Sequence, residues 1–358
     1  MMKILIPLVG TFGRSGGFRV LSHLANYWIK QGHEVCFLSY IVAEDPYFPT
    51  DAEILYYDNK GDVSSAKNLY QRRPMFGMFT LRFSLRKAMD KVEADIILAN
   101  HCFSALPVMQ SSNNARKFYY VQAYEPEYYY NKTVKDLIYK RISKNSYKLG
   151  LETIVNAEMY RNYKEIKTDK VVFPGLDLGV FKPDVEERHF GEKVVLGTIG
   201  RVEAYKGTAY IIKAFKQLRA EWGDKIELHV AFGDHALADV EGIKVIYPEN
   251  DAELAKYYRS ITMYICAGTV QLEAIHYPVI ESMGCKIPII TTGYYPASDE
   301  NAWIIPPKDS AAIRNTVVKV LNSEVIAKVK CESAYLNVKE FSWDAVGDKM
   351  LNYFRERD

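Results

Sequence analysis

KILIPLVGTFGRSGGFRVLSHLANYWIKQGHEVCFLS, residues 3–39, is the stretch that decides the class of fold. Lys3–Pro7 is an apolar run of strand length. Gly10, Gly13, Gly16 and Gly17 then make a glycine-rich turn. From Phe18 onward Val20, Leu21, Leu24 and Trp28 recur at helical spacing, and Gly32 stands where such a helix stops. Glu34–Ser39 reads as a second strand. Strand, glycine turn, helix and strand make a βαβ unit, and doubly wound sheets hold their ligands at that first turn. The glycines do not spell GxGxxG, so the dinucleotide fingerprint is weak.

Working outward, the same alternation continues. Strands are predicted at Glu53–Tyr57, Asp95–Ala99, Lys117–Gln122 and Thr153–Val155. A second series begins at Val194–Gly200 and continues at Ile226–Ala231, Ile243–Ile246 and Thr262–Cys266. Its helices lie near Thr208–Ala220 and Ala252–Arg259, the latter with Asp251 as a plausible N-cap. Such alternation argues for an α/β protein with mainly parallel sheets. The polar run from Lys182 to Lys193, KPDVEERHFGEK, is the best linker candidate. The expected organisation is a first domain over 1–182 and a second over 193–340. A terminal amphipathic helix over 341–358 follows, with Ser342 as its cap. A cleft between two similar halves is the natural ligand site.

At 358 residues the chain is comfortable for two domains of ordinary size. Its formal net charge of +2 is too small to make nucleic acid the expected partner. The apolar start MMKILIPLVG breaks at Gly10, short of a membrane span or a signal h-region. The five cysteines are scattered, without zinc or disulfide spacing, and read as buried thiols in a reducing cytoplasm. Two stretches are notably basic. One carries Lys67, Arg72, Arg73, Arg82, Arg86, Lys87 and Lys91, interleaved with Met75, Phe76, Met78, Phe79 and Phe83. The other carries Lys132, Lys135, Lys140, Arg141, Lys144 and Lys148. Charge runs of this kind are usually solvated helix faces. Beside aromatic residues and methionines they are also what an anionic membrane surface recruits, so the expected location is the cytoplasm, with peripheral attachment at the inner face of the membrane as the added reading.

The chemistry-bearing residues lie in the second half. Gly200-Arg201 ends its first strand, and Lys206-Gly207 opens the following helix. Two cations with two glycines at a strand-to-helix turn suit a diphosphate: Arg offers a fork, Lys a point charge, and Gly a close backbone approach. A charged surface loop would carry the same residues. Further on, EAIHYPVIE (Glu273–Glu281) places two carboxylates eight positions apart around Pro278, which marks a helix start. Glu281 is expected in the first turn, beside amides that attract anions, and Glu273 on the loop before it. A carboxylate there can grip a vicinal diol, although two solvated glutamates fit the spacing as well.

Taken in order, these motifs resemble the retaining family 4 glycosyltransferases. GRSGGFRVLSHLANYWIKQGHEV is similar to their N-terminal glycine loop, helix and strand. FPGLDLGVFKP is similar to a Pro-Asn-Gly-Val-Asp…Phe motif, with Gly175 where Asn is usual, and DENAWIIPPKD to a late Asn-Gly-x-x-Val-Pro-Pro-x-Asp stretch. The resemblance implies a GT-B fold, with two Rossmann-like domains facing across a cleft and the last helix crossing back to the first. It implies that Arg201 and Lys206 bind the donor diphosphate and stabilise its leaving charge without a metal or other cofactor. Gly200 belongs to the same turn. Glu281 would hold the ribose hydroxyls, Glu273 would lie beside the transferred sugar, and Tyr277, Pro278 and Val279 near its phosphate or hydroxyls. Gly16 and Gly17 would let the first domain's loop close over the diphosphate. The usual Gly-Phe-Gly between the glutamates is here Ala274-Ile275-His276, which puts a histidine where it either faces the sugar or is simply a tolerated loop residue.

On the acceptor side, FYYVQAYEPEYYY resembles the Val-Gln-Asp-Tyr-Glu-Pro segment of bacterial rhamnan-type rhamnosyltransferases, with Ala123 in place of Asp. Gln122, Tyr124 and Glu125 are the expected acceptor-side residues, and Tyr128–Tyr130 either stack on a glycan or pack within the fold. The implied reaction is transfer of a sugar, rhamnose by this resemblance, from a nucleotide-sugar donor to a cell-surface glycan or lipid-linked saccharide. A nucleotide-sugar epimerase of the same architecture and a non-catalytic glycan-binding protein are the competing readings.

Overall fold

Strand β1 (Lys3–Pro7) is apolar on both faces because it is covered on both: Ile4, Leu5 and Ile6 are all buried. It pairs in parallel with β2 (Glu34–Tyr40), which continues to β3 (Glu53–Tyr57) and an antiparallel edge pair, β4 (Val63–Ser64). On its other side lie β5 (Ile96–Ala99), β6 (Arg116–Val121) and β7 (Glu152–Val155), all parallel. Helix α1 (Gly16–Lys30) buries Val20, Leu21, Leu24 and Trp28 as its periodicity predicts, and Gly32 takes the left-handed φ of +81° just past its end. Three more helices follow, α2 (Met78–Met89), α3 (Cys102–Gln110) and α4 (Val134–Ser146). The structure, a computed structural model, describes residues 1–13, 15–72, 74, 77–129, 133–184, 190–200 and 203–356.

A second sheet starts at β8 (Val194–Ile199), followed by α5 (Thr208–Trp222), β9 (Ile226–Ala231), β10 (Ile243–Ile246), α6 (Asp251–Ser260) and β11 (Met263–Cys266). Helix α7 (Tyr277–Gly284), β12 (Ile289–Thr291), β13 (Trp303–Ile304), α8 (Ser310–Leu321) and α9 (Glu324–Asn337) complete it, and α10 (Trp343–Arg355) ends the chain. The α6 cap is Asn250 rather than Asp251: Asn250 has the extended backbone of a cap, and its side chain accepts from the Glu253 amide at 3.0 Å.

Strand order is β4-β3-β2-β1-β5-β6-β7 in the first sheet and β10-β9-β8-β11-β12-β13 in the second. Setting aside β4, both are doubly wound in the order 3-2-1-4-5-6. Each therefore reverses direction once, between β1 and β5 and between β8 and β11, and a crevice opens at the carboxyl ends of those strands.

The chain divides into two compact units, Met1–Gly175 with Trp343–Asp358, and Leu176–Ser342. The boundary falls earlier than the polar run at 182–193. Leu176 donates its amide to the Phe341 carbonyl, and Phe181 is buried against Tyr258, so these residues already belong to the second unit. Residues 185–189 of that run lie outside the described residues. In the first unit α10 packs on α1: Trp28 donates its indole N–H to the Gly347 carbonyl at 3.3 Å and meets the Phe354 ring edge-on.

Candidate active site

In the second unit the crevice at the β8/β11 reversal holds a cavity of about 240 Å³. Thr198 and Ile199 at the end of β8, Tyr264 and Cys266 of β11, and His276, Tyr277 and Pro278 at the start of α7 line it. Lys206 enters from the β8-to-α5 turn. Its ammonium stands 3.4 Å from His276 Nε2 and 5.3 Å over the Tyr205 ring. The turn is tight for a reason. Gly207 has φ +76°, and a Cβ there would overlap the Ala267 carbonyl. Gly200 is equally constrained, since a Cβ would run into Val230 and the Gly233 backbone. The His276 ring stacks on Tyr294 at 4.6 Å, and its Nδ1 lies 3.7 Å from the Cys266 thiol, which burial pushes up to about 11. The cavity thus offers a half-buried cation among aromatic and imidazole faces, at the place where such folds bind nucleotides.

The other residues expected here fall in three positions. Arg201 lies outside the described residues. Glu273 is exposed on the turn before Ile275 and does not line the cavity. Glu281, expected in the first turn of its helix, is the fifth residue of α7. It is only 2% exposed, and its Oε2 accepts from the Tyr258 hydroxyl at 2.9 Å. Val279 is buried, and its amide donates to the His276 carbonyl. Pro278 has no N–H. The helix start therefore offers an anion less than a run of open amides would, and among the described lining residues it is Lys206 that brings a permanent charge.

The β1/β5 reversal of the first unit holds a larger cavity, of about 580 Å³. Gly16 and Gly17, the first residues of α1, line it together with Gln122 and Glu125. Gln122 Oε1 is buried and has no hydrogen-bond partner among the described residues. Tyr124, by contrast, turns inward: it is buried, stacks on Tyr163 at 3.7 Å and donates to Glu165 at 3.0 Å. Tyr128 and Tyr129 line the cavity; Tyr130 lies outside the described residues.

His101, which sequence reasoning passed over, faces Glu125 at the rim of this cavity. It caps α3, and its Nδ1 accepts from the Phe103 amide at 3.2 Å, so the neutral ring carries its hydrogen on Nε2. Glu125 is buried and takes the Cys102 amide on both oxygens, at 3.0 and 3.1 Å. The ligand atoms of His101, Cys102 and Glu125 lie within 4.8 Å of one another. The Cys102 thiol, however, is raised far above its ordinary value by burial first and the Glu125 charge second, and Ser143 donates to it. Neighbouring amides and Ser143 satisfy these groups, and the Phe103 amide fixes His101 Nδ1 as an acceptor, which leaves Nε2 as the ring's donor. The available signal was position, an Asn-His pair directly after β5 at the reversal of strand order.

Residues 193–323 match the family model described as Glycosyl transferases group 1. This stretch contains the whole of the Lys206 cavity. The chain carries a group 1 glycosyltransferase domain and is a glycosyltransferase. It is 25% identical over 305 residues to an uncharacterized glycosyltransferase of Haemophilus influenzae, an alignment that spans 81% of this chain and 80% of that one. Sucrose-phosphate synthase from Thermosynechococcus elongatus matches its structure with a TM-score of 0.74, at 16% identity, over 99% of this chain and 98% of that one. HepE of Anabaena, solved in complex with UDP and glucose, gives 0.71 at 14% identity over 100% of both chains. At such identities the likeness is one of fold, and it establishes a GT-B-like α/β fold with two parallel sheets.

The glycosyltransferase has no helix, among the described residues, long and apolar enough to cross a membrane. Its five cysteines are free thiols. The first basic stretch is narrower than its composition suggests. Lys67 pairs with Asp45 at 2.5 Å and Lys91 with Asp62 at 2.7 Å, which leaves Arg72 and the cations of α2 among the described residues. Arg73, Met75, Phe76 and Lys132 lie outside the described residues.

Proposed function

We propose that this glycosyltransferase seats a nucleoside-diphosphate sugar in the Lys206 cavity and transfers the sugar, with retention and without a metal ion, to a cell-surface glycan or lipid-linked saccharide. The observation that carries the reading is Lys206: an ammonium held by a glycine-locked turn at the strand reversal of a group 1 domain. In the reaction the bond from the anomeric carbon to the diphosphate oxygen breaks while the acceptor hydroxyl bonds to that carbon on the same face. Its proton passes to the departing diphosphate. Negative charge grows on the leaving group, and Lys206, with Arg201 by sequence, meets it where it develops.

A deoxyhexose such as rhamnose is the donor sugar we favour. His276, stacked on Tyr294, fills space beside the cavity floor where a glycine would leave room for a larger substituent. HepE, solved with UDP and glucose, makes UDP-glucose the natural comparison substrate.

The test is turnover and slow hydrolysis across dTDP-, UDP- and GDP-sugars, with the anomeric configuration of the product read by NMR and with chelator added in parallel. We expect one donor class to be used, retention of configuration, and no loss with chelator. Lys206→Ala should lower turnover about 10²–10³-fold, the scale for losing one charge-stabilising group. A product epimerised without an acceptor, or no binding of any of these donors, would overturn the proposal.

A further inference from the structure

Helix α4 is apolar on its outer side. Val134, Leu137, Ile138 and Arg141 follow one another at i, i+3, i+4 and i+7, hence on one stripe, and all four are exposed, Val134 to 73%. Helix α2 repeats the pattern: Phe79 and Phe83 at i and i+4 are both more than half exposed, and Lys87, one turn on, lies 4.7 Å over the Phe83 ring. Helix α3 packs against both. Its Phe103 ring joins them, with the Arg82 guanidinium of α2 5.9 Å over one face and Tyr139 of α4 edge-on at 4.9 Å.

The charge on these helices is as uneven as their polarity. In the 12 and 13 residues of α2 and α4, basic side chains outnumber acidic ones seven to one, whereas the whole chain carries 46 against 44. Arg82 Nε and Arg86 Nε are buried with no hydrogen-bond partner among the described residues, and burial lowers the Arg82 guanidinium from its ordinary range. Helix α2 and the helix packed between it and α4 border the first-unit cavity, since Met78 opens α2 and Phe103 lies in α3.

We propose that the outer faces of α2 and α4 seat on an anionic lipid bilayer, and that the acceptor is a lipid-linked saccharide entering the first-unit cavity from that surface, past Met78 and Phe103. This deepens, and rests on, the glycosyltransferase reading given above. Exposed Phe, Leu and Ile enter the headgroup region, and each nearby Lys or Arg adds an attraction to anionic lipid. A soluble glycan calls for no outward apolar stripes. A second copy of the chain is a poor occupant, because a self-facing contact would set seven-to-one basic surfaces against each other.

The experiment is flotation of the full chain with vesicles of phosphatidylcholine alone and of equal parts phosphatidylcholine and phosphatidylglycerol, at low and high salt, without donor or acceptor. Binding to the anionic vesicles that weakens with salt is expected. The triple change Lys135→Gln, Lys140→Gln, Arg141→Gln should weaken it on the order of a hundredfold, about fivefold per charge. The pair Phe79→Ser, Phe83→Ser should abolish it, while melting temperature and donor hydrolysis stay at the parent level. Lys206→Ala should leave flotation unchanged, so loss of donor use and loss of membrane binding are separately readable. Equal binding to neutral vesicles, no binding to either, or a concentration-dependent dimer broken by the same serines would each overturn the proposal.

Discussion

Replacing Gly207 by alanine should destabilise the second unit and disturb the Lys206 cavity together, and the structure separates two contributions. The residue sits at φ +76°, where a side chain costs about 1–2 kcal/mol. A Cβ would also overlap the Ala267 carbonyl at the end of β11, an overpacking that costs about 1–3 kcal/mol because backbone, not a flexible side chain, must move. The sum is about 2–5 kcal/mol, and for a unit of this size a fall of roughly 5–15 °C in melting temperature. Gly32, at φ +81° with open space around its Cβ position, is the control: Gly32→Ala should show the backbone cost alone. Thermal unfolding of both variants, with and without nucleoside diphosphate, gives the difference. The variant Gly207→Ala should also lose most of the ligand-induced shift, since Lys206 must move with its neighbour. Equal melting temperatures for the two alanine variants, or an undiminished ligand shift in Gly207→Ala, would refute the reasoning.

Three further outcomes follow from particular contacts. Tyr258→Phe and Glu281→Gln should each lower stability in urea by about 1.5–3 kcal/mol, the scale of a buried hydrogen bond to a charge. If Glu281 also clamps ribose, only its variant should lose nucleotide affinity. The Glu227 carboxyl is held down at about 2 by Lys193 first, then by Lys244 and His229. A depressed carboxylate stabilises the fold above its ordinary value of 4.5, and that contribution drains away as pH falls from there towards 2. Because both lysines are more than half exposed, we expect about 1 kcal/mol of acid-sensitive stability, missing in Glu227→Gln, from melting curves across that window. Gly175→Asn, which restores the residue usual in the resembling motif, should cost about 1–3 kcal/mol in chemical denaturation, because a Cβ at Gly175 would enter the Trp343 ring. A neutral result would mean that the indole can swing away.

The sequence by itself determined the layering and the position of the glycine turn that carries Lys206. Strands buried on both faces must be apolar throughout, so β1, β5, β8 and β11 are visible as runs, and α1 shows its buried stripe because its outer side is wet. Gly200, Lys206 and Gly207 were legible because a strand-to-helix turn this tight needs small residues within a few positions, and a lysine among them stands out. Helix α3 was not legible. It is buried along most of its length and contains Pro107, so it has neither the period nor the composition of a surface helix.

What only the tertiary structure decided depends on partners distant in sequence. Glu281 looks like an accessible carboxylate until Tyr258 closes over it. Tyr124 looks like a site residue until Glu165, 41 positions away, takes its hydroxyl. Gly175 departs from its motif because Trp343, at the other end of the chain, occupies the space a side chain would need. Glu125 and His101 come together because β5 and β6 are neighbours in the sheet. Local patterns record each residue's own backbone and solvent preference. Burial, pairing and excluded volume are properties of what lies across the fold, and no single stretch of chain contains them.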